Sequence, residues 1–400
     1  METRDKNEDN DDLPSSDSTF VCVSYPTADE LRTISMNTAV SWQDSLSLSA
    51  YVEESQYMST VPLARNGGMT SWILVDSRYP PGKRHILSSC ETFRKRALVS
   101  DARGHISEAI VHGIASVFCS RKYRGHGFPK RMMKELAGRL SQWQAIDNPC
   151  FGSILYSDIG RDYYAKLGWR PDVSNSHIEL QPQSRAKHDT IRHVHMDDLP
   201  ALCERDEKLV RERLSVGDPA GKSRMSIVPD IDHMLWHLAK EEFACKHIFG
   251  KIPQAKGAIA GPRGSQVWAL WTHRYYDHPS VENTENVLHI LRLVMEKDES
   301  SAGLPSNGHD ELPNENHDHQ MSYLKVVLQA AQAETAEWKL DMVKLWNPSP
   351  LVRTMLTRIH NHTVVEREKD SIASAMWYDQ EGAMSEDPPV WVNNEYYAWC

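Results

Sequence analysis

Residues 116–129 read SVFCSRKYRGHGFP and decide the fold that we predict for this chain of 400 residues. A nearly continuous apolar strand, predicted over Ala109–Cys119, passes through a glycine-bearing loop directly into a helix. The unpaired amides of a helix start favour negative charge, and Gly125 and Gly127 let the backbone approach an anion closely. The segment therefore predicts a junction that binds a phosphate group, to which Arg124 adds positive charge.

The elements around this junction indicate an α/β fold with a mixed sheet flanked by helices. A helix is predicted over Pro129–Gln142, and a short one over Arg161–Lys166. The first of them has one buried face, because its apolar residues recur at intervals of three and four: Met132, Met133, Leu136 and Leu140. Helical character also occurs at residues 28–41 and 45–58, and further strands are predicted at 19–23, 70–76, 86–100, 151–158, 169–170 and 177–180.

The length of the chain and the shifts in its composition predict two domains. Residues 1–18 are acidic and lack apolar anchors, so we expect them to be disordered; a first domain over 19–181 then ends at a polar linker, 182–190. A second domain over 191–400 repeats the strand-helix-strand order, which indicates a degenerate copy of the first. Its polar stretch 298–320 is expected to be a flexible insertion. We predict helices at 199–214, 322–339 and 351–359, and strands at 256–261, 266–276, 286–296, 342–346 and 364–377.

Composition and charge exclude several classes of function. A net charge of −10 offers no basic face for nucleic acid, and no run of 18 apolar residues could span a membrane. The N-terminus has the character of neither a signal nor a transit peptide, which favours a cytoplasmic protein. Seven widely spaced cysteines without a C-x-x-C pair fit a reducing compartment, and the histidines of the 298–320 insertion lack the spacing of metal ligands. Nothing in the sequence indicates an oligomeric state.

The junction resembles the cofactor motif of the GNAT acetyltransferases, in which a strand is followed by R-x-x-G-x-G/A and a helix. Arg124 and Gly127 match its first two fixed positions, whereas Pro129 stands where the family usually has Gly or Ala. The resemblance implies acetyl-CoA as co-substrate and no metal. Because Pro has no N–H, we expect one amide contact fewer to the pyrophosphate. The residues implied in binding acetyl-CoA are Val117, Phe118, Cys119, Arg124, Gly125, His126, Gly127 and Ser157.

Residues 155–169, which read LYSDIGRDYYAKLGW, resemble a second signature of the same family. By that match Tyr164 lies where many GNAT enzymes keep the general acid that reprotonates the leaving thiolate of CoA. Ser157 replaces an Asn often found in the signature. A phenol held near the sulfur can supply the proton. The alternative for Tyr164 is a structural one, in which it packs the short helix onto the sheet.

Acetyl transfer also needs a base or a water relay, because a free amine is mostly protonated at neutral pH. His112, in the strand before the loop, lies roughly where some GNAT members place a catalytic carboxylate, although a strand histidine can also be purely structural. Enzymes built from fused GNAT domains can insert their own terminal carboxylate into the first domain's site. That resemblance implies Cys400 as a second candidate, and the aromatic segment before it is expected to be buried.

Several strings extend the resemblance to the fungal lysine N6-acetyltransferase family, which pairs a GNAT domain with a large C-terminal domain. They are SVF before the RGHG loop, LYSDIG with YYAKLGW, WALWTHRYY, ILRLV, QAAQAETAEW, KLWNPS and NNEYYAWC. The resemblance implies a GNAT-type sheet with a second, degenerate GNAT-like C-terminal domain. It also implies transfer of acetyl to the side-chain amine of free lysine, by direct attack in a ternary complex. Two alternatives stay open: an amino group on a secondary metabolite as the acceptor, and a noncatalytic acyl-CoA-binding protein.

Overall fold

The computed structural model describes residues 13–184, 191–282, 284–297, 315–359, 361–379 and 381–399. Within these ranges the strands are β1 (Val21–Ser24), β2 (Met69–Asp76), β3 (Ile86–Ser100), β4 (Ile106–Phe118), β5 (Cys150–Ser157), β6 (Arg170–Pro171), β7 (Ser176–Leu180), β8 (Ile191–Val194), β9 (Arg224–Ile227), β10 (Gly257–Ala260), β11 (Val267–Arg274), β12 (Val287–Met295), β13 (Met342–Trp346), β14 (His362–Glu366), β15 (Ile372–Trp377) and β16 (Val390–Trp391). The α-helices are α1 (Ala28–Trp42), α2 (Leu48–Met58), α3 (Phe128–Leu140), α4 (Asp162–Ala165), α5 (Leu199–Leu214), α6 (Ile231–Phe249), α7 (Glu315–Glu337) and α8 (Pro350–Leu356).

The first sheet contains the predicted strand-loop-helix junction. Its main order is β1-β2-β3-β4-β5-β15-β6, and β9 joins it by pairing with β3 and β16. β2 and β3 form an antiparallel hairpin. Helix α3 covers one face of the sheet with its apolar stripe, and each buried Leu or Met side chain contributes about 1.5–3 kcal/mol. The four members of the stripe are fully buried: Met132, Met133, Leu136 and Leu140.

β4 and β5 run parallel at first and then diverge. Their last paired residues are Ile114 and Leu155, although both strands continue beyond this pair. Beside this point the register between β3 and β4 shifts, and Ser116 has a φ of 53°. A bulge of this kind bends its strand. The end of β4 is thereby turned away from β5, and a wedge-shaped gap opens between the two strand ends.

The second sheet repeats this arrangement. Its order is β14-β7-β13-β12-β11-β10-β8. β12 and β13 pair in parallel, and α7 lies between them in the chain as α3 lies between β4 and β5. The predicted fold class is therefore confirmed: an α/β protein whose second unit is a degenerate copy of the first.

The two sheets exchange strands. β7 follows β6 in the chain but pairs with β13 and β14 in the second sheet. β15 comes from the C-terminal half but pairs with β5 and β6 in the first. The single strand that we predicted at 364–377 is therefore wrong, because this stretch divides into β14 and β15, which belong to different sheets. Since each sheet contains a strand from the other half, the two units are tied together.

The shared core lies between the two sheets and explains which elements the sequence did not predict. Aliphatic side chains of the first half, such as Val111 and Ile154, meet aromatic side chains of the second half there: Trp268, Trp346, Trp391, Tyr396 and Tyr397. Helix α6 packs at this junction and was not predicted, nor was β9. α6 buries polar side chains such as His237 and Glu241 together with apolar ones, so it shows no clean apolar stripe.

Residues 13–18, which we predicted to be disordered, pack against α3. Leu13 contacts the core under this helix, and Arg131 donates a hydrogen bond to the carbonyl of Ser16 at 3.3 Å. The prediction is therefore wrong for these residues, because Leu13 supplies an apolar anchor. Residues 1–12 lie outside the described part of the chain.

The predicted insertion and linker fall largely outside the described residues, which exclude 185–190 and 298–314. The prediction of a flexible insertion is wrong for residues 315–320, because α7 begins at Glu315. No helix in the described ranges combines the length and the apolar character needed to cross a bilayer.

Candidate active site

A cavity of about 270 Å³ lies at the gap between the ends of β4 and β5. Val117 and Leu155 belong to its lining on the two strand ends, and α1, α2 and α6 form other walls. The C-terminal half contributes Arg274, at the end of β11, and Trp399. The cavity is therefore built from both halves of the chain.

Glu91, on β3, contributes a carboxylate to the wall of this cavity. Its Oε2 accepts a hydrogen bond from Oγ of Ser116, the bulged residue of β4, at 3.0 Å. Burial raises the pKa of Glu91, and the Ser116 hydrogen bond and the charge of Lys240 oppose this effect. Lys240 itself pairs with Glu54 at 2.6 Å. A cavity carboxylate with a raised pKa is a candidate general base.

Tyr164 lies on the same cavity. Helix α4 carries it, and the N–H of Trp169 donates a hydrogen bond to its carbonyl at 3.0 Å. The ring of Tyr163 packs edge-on against it, with centroids 5.0 Å apart. Burial raises the pKa of Tyr164, and the neighbouring Tyr163 adds to the effect. The phenol therefore stays protonated well above neutral pH and is available as a proton donor.

The glycine loop before α3 is exposed, and it faces open space at Gly125. Gly125 and Gly127 have φ of 84° and 82°, and Gly127 is the residue immediately before the helix. A side-chain carbon at Gly125 would meet nothing within 4 Å. The amides of Gly125, His126 and Gly127 donate to no protein acceptor in the part of the chain that the structure describes. Such a set of outward amides fits a phosphate group.

The side chains of Arg124 and His126 make contacts that stabilise the conformation of this loop. Nε of Arg124 donates to the carbonyl of Cys119 at 3.1 Å. The ring of His126 stacks on Phe128 with centroids 5.8 Å apart. Both contacts therefore help to shape the loop that carries the amides of Gly125, His126 and Gly127.

The remaining residues predicted to bind the co-substrate differ in their placement. Val117 lines the cavity. The carbonyl of Phe118 accepts a hydrogen bond from Ser88 Oγ at 2.8 Å, and the hydroxyl of Ser157 donates to the carbonyl of Gly160 at 2.8 Å. Ser157 thus closes the turn after β5, and its side chain is satisfied within the fold.

Cys119 is held as a thiol. Its Sγ donates to the carbonyl of Leu87 at 3.3 Å, and burial raises the pKa of the thiol, with the charge of Arg124 opposing. A thiol with a raised pKa is a poor nucleophile.

The two bases proposed from the sequence are placed differently. His112 lies under α3, where its Nε2 is 2.9 Å from the carbonyl of Trp143, and it is not a lining residue of the cavity. Burial lowers the pKa of His112 to about 4. Cys400 lies outside the described residues, although Trp399, just before it, lines the cavity.

Comparison with known proteins decides the family. A family model described as the LYC1 GNAT-like C-terminal domain matches residues 177–400, which is more than half of the chain. The chain belongs to the LYC1 GNAT-like family. The predicted resemblance to GNAT proteins is therefore confirmed. The chain is an N-acetyltransferase of the GNAT type, and the fold implies acetyl-CoA as its co-substrate.

Individual relatives are distant from this LYC1-like chain. A lysine acetyltransferase of Yarrowia lipolytica is 22% identical over 288 residues, which cover 62% of this chain and 71% of that protein. The uncharacterized protein YGR111W of Saccharomyces cerevisiae is 21% identical over 426 residues, covering 95% of this chain and 97% of that protein. A solved structure from Enterococcus faecalis, described as a probable N-acyltransferase, is 11% identical with a TM-score of 0.49, over 89% of this chain and 72% of that one.

Proposed function

We propose that the cavity transfers the acetyl group of acetyl-CoA to the side-chain amine of free lysine, by direct attack in a ternary complex. The observation that carries this proposal is the presence of Glu91 and Tyr164 on one cavity, at the diverging ends of β4 and β5. One carries a carboxylate with a raised pKa and the other a protonated phenol. The Y. lipolytica relative is named a lysine acetyltransferase, which supports lysine as the acceptor.

Glu91 is the general base of the proposed reaction. The acceptor amine enters mostly as an ammonium ion, and its nitrogen attacks only after a proton has left. The carboxylate of Glu91 takes that proton, and the hydrogen bond from Ser116 keeps the carboxylate oriented. Because burial raises the pKa of Glu91, it is a stronger base than an exposed glutamate.

Tyr164 is the general acid. When the new C–N bond forms and the C–S bond of the thioester breaks, the electron pair stays on sulfur as a thiolate. The phenol of Tyr164 donates its proton to that sulfur. The acylated nitrogen loses its second proton to solvent, and the phenolate of Tyr164 regains a proton from solvent. Its raised pKa keeps the proton on the phenol until the thiolate forms.

The amides of Gly125, His126 and Gly127 would hold the pyrophosphate of acetyl-CoA, and the end of β4 at Val117 would hold the arm that leads into the cavity. Acetyl-CoA supplies the activated acetyl group. We assign these residues to the co-substrate because their amides face outward without a protein acceptor in the described chain.

Gly125→Ala tests this assignment. The φ of 84° disfavours any residue with a side-chain carbon by about 1–2 kcal/mol, so the free loop of the variant should adopt another conformation. Because binding must then restore the left-handed conformation, we expect the Kd for CoA to rise roughly five- to thirtyfold. Isothermal titration calorimetry measures the change. Gly138→Ala is the matched control, since Gly138 lies inside α3 with nothing within 4 Å, and it should leave the Kd unchanged. Equal affinities for wild type and Gly125→Ala would remove the loop from the co-substrate site.

Pro129→Ala restores an N–H in the first turn of α3. If the amides of this turn contact the pyrophosphate, one more neutral hydrogen bond is worth about 0.5–1.5 kcal/mol. We therefore expect the variant to bind CoA roughly two- to tenfold more tightly by the same titration. Weaker binding would show that Pro129 holds the loop in its binding conformation and does not merely lack a donor.

A panel of amines tests the acceptor. Purified full-length chain is mixed with acetyl-CoA and each amine, and release of the CoA thiol is followed. Lysine should give the highest kcat/KM. Turnover of other amines without lysine would favour a secondary-metabolite acceptor, and CoA binding without any thiol release would favour a noncatalytic acyl-CoA-binding protein.

A further inference from the structure

We infer that Arg274 binds the carboxylate of the acceptor and so restricts the acceptor to a free amino acid. The inference rests on the proposed function, because it specifies the acceptor at the same cavity. Arg274 is the last residue of β11, and it lines the cavity. Its Cζ lies 5.3 Å from the ring centroid of Tyr276 and 5.8 Å from that of Trp399. Aromatic contacts of this kind hold the plane of a guanidinium group.

The guanidinium of Arg274 has N–H donors that no described residue accepts. Its Nη2 pairs with Oδ2 of Asp44 at 2.6 Å, and the two side chains are 12% and 15% exposed. Nε is buried and has no acceptor among the residues that the structure describes. An arginine carries five N–H donors in a planar fork that matches a carboxylate. Asp44 engages Nη2, and Nη1 has no acceptor among the described residues, so Nη1 is the donor left for a carboxylate in the cavity.

Lys240 is the other cation of the cavity, and it is less suited than Arg274 to bind a second carboxylate. Its ammonium pairs with Glu54 at 2.6 Å, and it has no planar fork to offer a second carboxylate. The choice between the two cations therefore favours Arg274 as the carboxylate site.

The anions of the cavity complete the match to an amino acid. Glu91 forms no ion pair with a described cation, and neither does Asp158, whose Oδ1 accepts a hydrogen bond from the N–H of Ser371 at 2.9 Å. A ligand with amines for these carboxylates and a carboxylate for Arg274 is a diamino acid. Walls from α1, α2 and α6 enclose it, which suits a small molecule.

The test compares lysine with 1,5-diaminopentane, which is lysine without its carboxylate. In the full-length chain, Arg274→Met should lower kcat/KM for lysine roughly 10- to 100-fold, mostly through KM, because a charge-assisted contact is lost. The same variant should change kcat/KM for the diamine less than threefold. Binding of both amines to the CoA-loaded protein, measured by calorimetry, should show the same selective loss.

Two further variants control for the fold and for charge. Arg274→Lys keeps a cation opposite Asp44 without the fork, and it should retain CoA affinity and the melting temperature while losing part of the preference for lysine. Lys240→Met removes the other cation of the cavity and should affect both amines alike.

The outcomes separate this inference from the proposed function. Equal losses for lysine and the diamine in Arg274→Met, or a wild type that acetylates the diamine as well as lysine, would overturn the role of Arg274 and leave acetyl transfer standing. Binding of lysine that depends on Arg274, without any thiol release, would uphold the role of Arg274 and reject the proposed transfer.

Discussion

Glu91→Gln should lower kcat/KM for the acceptor amine at neutral pH by roughly 100- to 10,000-fold, the usual contribution of a general base. The amide keeps the shape of the side chain and can still accept a hydrogen bond from Ser116, so the bulge of β4 should persist. What is lost is the ability to take a proton. Steady-state kinetics with saturating acetyl-CoA measure the effect, and calorimetry should show unchanged affinity for CoA.

The role of Glu91 as a base also predicts the direction in which kcat/KM changes with pH. Glu91 acts only when ionised, and burial raises its pKa. In the wild type, kcat/KM should therefore fall as the pH drops through this raised pKa, and Glu91→Gln should lose that limb. Asp158→Asn is the matched control on the same cavity: it should raise KM but keep the limb. A Glu91→Gln profile that retains the wild-type acid limb would assign the base to another group.

The melting temperature of Glu91→Gln shows whether a loss of activity comes from the missing base or from a damaged fold. A carboxyl with a raised folded pKa contributes most to stability below its unfolded pKa, and this contribution is lost as the pH rises through the folded pKa. The ionised, half-buried Glu91 therefore opposes folding at neutral pH. Glu91→Gln should melt at the same temperature as the wild type or slightly higher.

Tyr164→Phe should lower kcat by roughly 100-fold or more while CoA affinity stays the same. The ring is preserved, so the packing of α4 onto the sheet should be preserved as well. Only the proton for the leaving thiolate is removed. Because burial raises the pKa of Tyr164, the wild type should show no loss of activity in the neutral range from its ionisation.

Tyr163→Phe is the matched control for this change. Its ring packs on that of Tyr164, with centroids 5.0 Å apart, and it is its direct neighbour in the chain. We expect less than a threefold change in kcat. A larger effect of Tyr163→Phe than of Tyr164→Phe would reverse the assignment of the acid.

The sequence predicted the strand-loop-helix junction well because its signals are local. Glycines at positive φ, an apolar strand before them and a helical stripe after them all lie within about thirty residues, and each reflects the backbone or one buried face. Tyr164 became a candidate for the same reason, since its signature lies in one short helix, and its role as the acid stays a prediction.

Glu91 and Arg274 were not predicted because their role depends on long-range contacts. Glu91 reaches the site through a bulge in the neighbouring strand, and Arg274 arrives from the second sheet. The strand exchange was missed for a related reason: β14 and β15 are continuous in sequence, yet β7 and β5, which pair with them, belong to different sheets. A pattern of apolar residues shows that a strand is buried but does not show which sheet buries it.

The most direct measurement is release of the CoA thiol by the purified full-length chain with acetyl-CoA and lysine, run beside Tyr164→Phe and Glu91→Gln. We expect the wild type to release CoA thiol and to form N6-acetyl-lysine in equimolar amounts. In each variant the rate of thiol release should fall at least 100-fold while the affinity for CoA is unchanged. Wild-type activity in both variants would contradict the assignment of this cavity as the active site.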